Sequence, residues 1–569
     1  MGKRKVLFLI LALAAILRLW RFSDVPVSLF GDELDVGYHA YSILKTGKDY
    51  SGNSWPLHFQ SMAEWRTPLY LYSAVPTVAL FGISPLGVRL PAAIFGILGI
   101  FAFYLLIKEL TKNEVLALVS AAVLTFSPWH IQYSRAGAFE VTHLLFFLFL
   151  GLYFFFKALK NGKFLWVAVS FLVLTPLVYS TAKLFTPFLL IFLLVSYRKE
   201  IFKISKKYLI WAVVAGIILG VPITYSTFFG GGNFRFSYIS VFTDPTMESE
   251  VGYARLMDAR MRKETGGGLV SKVTTRLVHN KYTFWGERVL KNYLEAFSTD
   301  FLFIKGDLNL RHSIEDVGQF YKVEAITLLL GLISFFALFK DKRIKRLIAF
   351  WILAGVVPSA ITRDGGRHAT RLILILPPLI FLIAYGLVEG TKLFKKKFRN
   401  VFLLGYLGLF VAGFIFYQHN YWVHNPWFSE RWWHAGFEET FQVVKELESE
   451  YDKIIISNAN EPPWIYFAGW YQYPPEKWHQ GFPFEEKYVE GFGTMTYIDK
   501  FYFGQVGEIG IYGLPKVIEE KTLYVAVERE IGANLIMEPE RTPPGLTLIK
   551  AIPYPSGEPA FYLFASNKE

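Results

Sequence analysis

MGKRKVLFLILALAAILRLWRF, residues 1–22, opens the chain with three cations and then a continuous apolar run. A secretory leader begins the same way but ends on small residues at a cleavage site; here Arg18 and Arg21 occupy that place. The stretch is read as an uncleaved first membrane span whose basic start stays in the cytoplasm.

The same alternation of basic block and apolar run recurs along the chain. It has 569 residues, 53% hydrophobic and 18% aromatic, too long and too apolar for one soluble core. Apolar runs of roughly the 20 residues that cross a bilayer recur near 87–107, 115–131, 141–157, 164–181, 184–197, 208–227, 322–339, 347–362, 372–391 and 401–417. Together with 6–22 they predict about eleven transmembrane helices. With the N-terminus inside, each dense basic block, from KRK at 3–5 to KDKRIKR and KLFKKKFR, falls on the cytoplasmic side. The run PLYLYSAVPTVALFG, 68–82, would invert every later loop if it crossed, so it is expected to lie at the outer surface or to re-enter.

The expected fold is thus an α-helical polytopic protein of the plasma membrane, residues 1–417, with outer loops 23–86 and 228–321. A small extracytoplasmic α/β domain, 418–569, completes it, with a helix near 435–450 and strands at 453–458, 522–527 and 560–566. Triple glycines at 230–232 and 266–268 flank a charged helical stretch and suggest either a hinged flap or a plain flexible connection.

The net charge of +12 resides in topology signals between apolar runs, which excludes a nucleic-acid partner. There is no cysteine, hence no disulfide and no thiolate chemistry. His419 and His424, in YQHNYWVHNP, fit no metal-ligand spacing and read as part of an aromatic interfacial connector.

The span centres are nearly free of charge, unlike those of ion-coupled transporters. Ionisable residues gather instead at the outer ends: Asp32, Glu33, Glu64, Arg66, Arg135, Glu140, Lys183, Arg367, His368 and Arg371. The cations Arg66, Arg135, Lys183, Arg367, His368 and Arg371 come from four turns, EWRTP, YSRAGAFE, YSTAK and RDGGRHATR. Such convergence suits a phosphate or pyrophosphate, with Arg bidentate and Lys a point charge. A carboxylate beside phosphate-binding cations is what glycosyl transfer from a lipid phosphate requires, and Asp32, with Glu33 as neighbour, is the candidate base.

The strings DELDVGYHAYSILKTGKDYSG, EWRTPLYLY, FGISPLGVRLPAA and SPWHIQYSRAGAFE, followed by GDLNLRHSIEDVGQFY and RHATRLILILPP, resemble membrane glycosyltransferases of the GT-C superfamily. Protein O-mannosyltransferases and lipid A aminoarabinose transferases are the nearest in kind. The resemblance implies a polyprenyl-phosphate sugar donor, a hydroxyl acceptor and inversion at the anomeric carbon. It makes Asp32 the base and maps a second acidic residue onto Glu140, where relatives often carry Asp. Tyr38, Glu64, Arg311 and His312 are expected to contact substrate. No cofactor is expected; a divalent ion on Asp32, Glu33, Glu64 and Glu140 is the alternative. A ligase or polymerase using a diphosphate-linked donor, and a noncatalytic lipid flippase or assembly factor, are the competing functions.

Overall fold

The computed structural model describes residues 2–62, 65–261 and 269–566. Glu64 and the second triple glycine lie outside them. The first two thirds of the chain is helical. In chain order it begins α1 (Lys3–Leu19), α2 (Gly31–Thr46), α3 (Pro68–Phe81), α4 (Pro85–Thr111), α5 (Glu114–Phe126), α6 (Pro128–Arg135) and α7 (Val141–Ala158). It continues through α8 (Leu165–Leu174), α9 (Ala182–Ile201) and α10 (Lys206–Phe229).

Every expected span falls on helix. Among the described residues, length and apolar composition qualify α4, α7, α10, Ile373–Leu393 and Lys396–Phe428 to cross a membrane. A sixth is added if α5 and α6 are one broken span, and the remaining expected spans fall on helices that are shorter or more charged. The chain is a multi-pass membrane protein. Burial separates two classes of helix: the Ile373–Leu393 window is 83% buried against neighbours, whereas that of α10 is 17% and that of Lys396–Phe428 is 6%. The last two expose apolar side chains along most of their length, as lipid-facing helices do.

Three local departures shape the outer layer. The expected span 115–131 is not continuous: α5 and α6 meet at 59°. Pro128 has no N–H to give the preceding turn and holds Ser127 in an extended conformation (ψ 123°). The bend turns α6 to carry Trp129, Tyr133 and Arg135 into the protein, all three buried. α3 is a 14-residue helix, about 21 Å long. That falls short of a bilayer core of roughly 30 Å, and its Tyr70, Leu71 and Ala74 are buried. The first triple glycine is packed rather than free, since a Cβ on Gly231 would stand 2.6 Å from the Trp65 ring.

The C-terminal part contains a seven-stranded mixed sheet in the order β4-β5-β6-β3-β7-β9-β8. The strands are β3 (Lys453–Ile456), β4 (Glu485–Val489), β5 (Gly493–Ile498), β6 (Phe501–Phe503), β7 (Thr522–Val527), β8 (Leu546–Pro553) and β9 (Pro559–Ser566). A short ribbon in the first outer loop supplies β1 (Phe59–Gln60) and β2 (Trp65–Arg66). β3 pairs in parallel with β6 and β7 at the centre, and the flanking pairs are antiparallel. All six residues of β7 are buried, as a strand covered on both faces requires.

This domain is docked on α2. Tyr38 Oη donates to the Tyr473 carbonyl at 2.9 Å, and the Tyr38 ring meets Trp478 edge-on at 5.2 Å. Phe30 packs edge-on against Trp433 at 5.4 Å.

Candidate active site

α2 starts at Gly31, where a Cβ would lie 3.1 Å from Tyr466 Oη and 3.3 Å from Met62 Cε, so only glycine fits without displacement. The next two residues carry carboxylates at the positive end of the helix. Successive helical residues are about 100° apart, and this separates the pair. Asp32 keeps 43% of its side-chain exposure, whereas Glu33 is fully buried.

Glu33 is therefore not a second carboxylate in the cleft, as the sequence suggested. It is bidentate with Arg89, at 2.7 and 2.8 Å, and accepts the Gly137 N–H at 2.6 Å. Arg89 also donates to the Pro26 carbonyl at 2.9 Å and to that of Ser28. The buried pair fastens α2 to α4 and to the turn before Glu140.

Arg66, on β2, faces three carboxylates. It donates to the Asp32 carbonyl at 3.1 Å, to the Ala138 carbonyl at 2.5 Å and to Glu140 Oε1 at 3.1 Å. Its Nη1 stands 3.9 Å from Asp32 Oδ1 and 3.6 Å from Asp35 Oδ2. Glu140 reaches Arg66 from a left-handed backbone (φ 56°), an unusual conformation for a residue with a Cβ. So Arg66, expected to hold phosphate, is surrounded by acid.

Asp35 escaped the sequence reading. It is buried, accepts the Tyr50 hydroxyl at 2.7 Å and lies 3.7 Å from His39 Nε2. Burial pushes its carboxyl up to about 6, partly offset by Arg66 and the Tyr50 bond. Burial likewise takes His39 down to about 3, so the imidazole is neutral. The signal for Asp35 was its place three residues after Asp32, one turn along the same helix face.

A cavity of about 440 Å³ opens nearby between the start of α9, the end of α10, the segment 232–239 and the turn after Ala360. Its wall is largely apolar, with Leu184, Ile223, Phe228 and Ile361, and it carries three cations, Lys183, Arg235 and Arg371. Lys183 Nζ donates to the Gly232 carbonyl at 2.6 Å and lies 3.3 Å from His58 Nε2. Burial, then Lys183, lowers His58 to about 4. Arg371 donates to Thr362 Oγ1 at 2.8 Å and pairs with Asp364. Thr67 Oγ1 donates to the Val178 carbonyl at 2.7 Å, which ties the Arg66 strand to the cavity wall around Ser180 and Thr181. Arg235 lies just past the first triple glycine, in a stretch that the sequence reading took for a hinged flap or a flexible connection and not for a source of site residues.

Other expected residues have other neighbours. Arg135 is buried and donates to the Leu17, Arg18, Trp20, Arg21 and Val25 carbonyls at 2.9–3.3 Å and to Tyr421 Oη at 2.8 Å. It satisfies the C-terminal carbonyls of α1, which a helix end leaves without partners, and does not line the cavity. Tyr38 is spent on the docked domain. Arg367 makes a half-exposed ion pair with Asp300 at 3.4 Å. Arg311 lies over the ring of Phe30, two residues before Asp32, at 4.8 Å. His312 and His368 approach each other, with ring centroids 4.9 Å apart. The sheet domain adds Glu461, 3.4 Å from His434 Nε2; that histidine holds the Glu461 carboxyl below its usual range, and Asp32 is among the charges acting on it.

A family model described as dolichyl-phosphate-mannose-protein mannosyltransferase matches residues 66–225. That span takes in Arg66, Glu140 and Lys183. YkcB of Bacillus subtilis (strain 168), which carries the name of a mannosyltransferase, is 32% identical over 94 residues, 16% of this chain and 13% of that protein. ArnT from Cupriavidus metallidurans, solved with undecaprenyl phosphate, matches 98% of this chain with 97% of its own at 12% identity and a TM-score of 0.54. The chain resembles the GT-C glycosyltransferases. The oligosaccharyltransferase AglB from Archaeoglobus fulgidus, another GT-C structure, matches 82% of this chain and 63% of its own at 14% identity, TM-score 0.49. The likeness in fold to ArnT, at 98% of this chain, takes in both the helical part and the sheet domain.

Proposed function

We propose that this protein is an integral membrane glycosyltransferase that moves a sugar from a polyprenyl phosphate to a hydroxyl acceptor on the outer face of the plasma membrane. The observation that carries the reading is the cavity wall: an apolar surface bearing Lys183, Arg235 and Arg371, tied through Thr67 to the Arg66 cluster that holds Asp32. An apolar groove suits the lipid chain, and the cations suit the phosphate. ArnT's solved complex with undecaprenyl phosphate supports the same ligand class.

In this mechanism Asp32 takes the proton of the acceptor hydroxyl. The oxygen attacks the anomeric carbon opposite the phosphate, the bond from that carbon to the phosphate oxygen breaks, and its electron pair leaves on the phosphate. Lys183, Arg235 and Arg371 stabilise the charge that grows there. One displacement inverts the anomeric carbon. Arg66 and Glu140 hold the base in place, while Glu33 and Arg89 fix the helix that carries it. The phosphate contacts expected of Arg66 and Arg135 thus pass to Arg235 together with Lys183 and Arg371.

The test is incubation of the purified protein with a panel of polyprenyl-phosphate and polyprenyl-diphosphate sugars and mass spectrometry of the released lipid and the glycosylated product; transfer from the monophosphate donors is expected. Transfer only from diphosphate-linked donors would replace this reading with a ligase or polymerase; transfer from none would end it.

A further inference from the structure

We propose that Asp307, His312 and His368 bind a divalent transition-metal ion, with zinc the best match, joining the outer loop before residue 321 to the turn 362–371. This does not depend on the glycosyl-transfer reading, because the ion would be detected directly.

The three residues come from two separate segments, yet one ligand atom from each lies within 4.8 Å of the other two. Bonds of about 2 Å to a tetrahedral zinc set ligand atoms roughly 3.3 Å apart. Small side-chain rotations close that gap. Two imidazoles and one carboxylate form a mixed nitrogen and oxygen set that suits zinc, leaving a fourth position for water or an anion.

The surroundings are those of an oriented ligand set. His312 Nδ1 is 3.0 Å from Thr370 Oγ1, which is itself 2.7 Å from the Tyr133 hydroxyl. A proton shared there leaves Nε2 as the ligand atom, the usual arrangement for a metal-bound histidine. Asp307 accepts the Ala369 N–H through Oδ2 at 2.8 Å and the Asn309 N–H through Oδ1 at 2.9 Å. Each bond uses one acceptor site and leaves the oxygen able to bind a cation. His368 Nδ1 is buried with no hydrogen-bond partner among the described residues, a cost that a metal ligand removes. Arg311 and Arg371 also face the group and favour an anionic ligand at the fourth position.

The experiment loads chelator-stripped, full-length protein in detergent with zinc chloride, removes free zinc by desalting and measures bound zinc by mass spectrometry. About one zinc per chain is expected. It should be lost in His368→Gln and in Asp307→Asn, and kept when His419 and His424, whose Nε2 atoms are 3.1 Å apart, are both replaced by Ala. His368 is only partly buried, so its variant is the one expected to fold; an unchanged elution volume and metal-free melting midpoint verify this. Zinc should raise the melting midpoint of the wild type and not of His368→Gln. No retained zinc, or zinc that survives both site variants or vanishes with the His419/His424 pair, overturns the proposal.

Discussion

Arg66 bonds Glu140 at 3.1 Å through one nitrogen and faces the Asp32 carboxylate at 3.9 Å through the other. One guanidinium thus spans the two acidic positions that the GT-C resemblance singled out, and Asp32 keeps an open side.

Asp32→Asn keeps the shape and removes the proposed base. Transfer should fall roughly 10²–10⁴-fold, as when a general base is lost, with donor binding and melting midpoint retained. Near-normal turnover by a correctly inserted variant would take the proton-abstracting role from Asp32.

Lys183→Ala and Arg371→Ala each remove one cation from the cavity. Loss of a charge-assisted hydrogen bond, about 1.5–3 kcal/mol, corresponds to roughly 10- to 100-fold weaker donor binding. Titration with a polyprenyl phosphate measures it, and unchanged affinity in both variants would move the phosphate elsewhere.

Glu33→Gln leaves Arg89 buried without its partner charge, at a cost of about 3–5 kcal/mol. The melting midpoint in detergent should drop sharply. Arg89 and Glu33 replaced together by apolar residues of similar size should recover part of the loss, an outcome foreign to a catalytic carboxylate.

Asp35 has its carboxyl raised from 3.8 to about 6, so folding favours its protonated form. Its contribution to stability is complete below the unfolded value and is lost as pH rises through about 6. Thermal unfolding of wild type and Asp35→Asn, compared from about pH 4 to about pH 8, should diverge up to about pH 6. Above it the variant should be relatively more stable by a constant margin. Parallel profiles would show that Asp35 does not titrate there.

Orientation can be read with reporters. One at residue 343 should report the cytoplasm, and one after residue 569 the exterior; the reverse pair would place the Asp32 cleft on the wrong side for an outward-facing donor.

Helix positions were legible because a bilayer demands long apolar runs, and β3, β7 and β9 because their buried strands are strongly apolar. β4, EEKYV, was not, since an exposed charged edge strand has no apolar signature. The acidic pair at 32–33 was visible, but its division between cleft and core is set by helix phase and by Arg89, which lies on another helix. Arg135 looked like a phosphate ligand because sequence cannot place five carbonyls around it. Arg235 and Asp307 sat in loops whose partners are far away along the chain, so only folding reveals their neighbours.

The sheet domain grips α2 at two levels, Tyr466 against Gly31 and Tyr473 on Tyr38. The start of α2 is therefore held from two sides, by the sheet domain at Gly31 and Tyr38 and by the buried Arg89 at Glu33, so the position of Asp32 depends on a domain that lies more than 400 residues away along the chain.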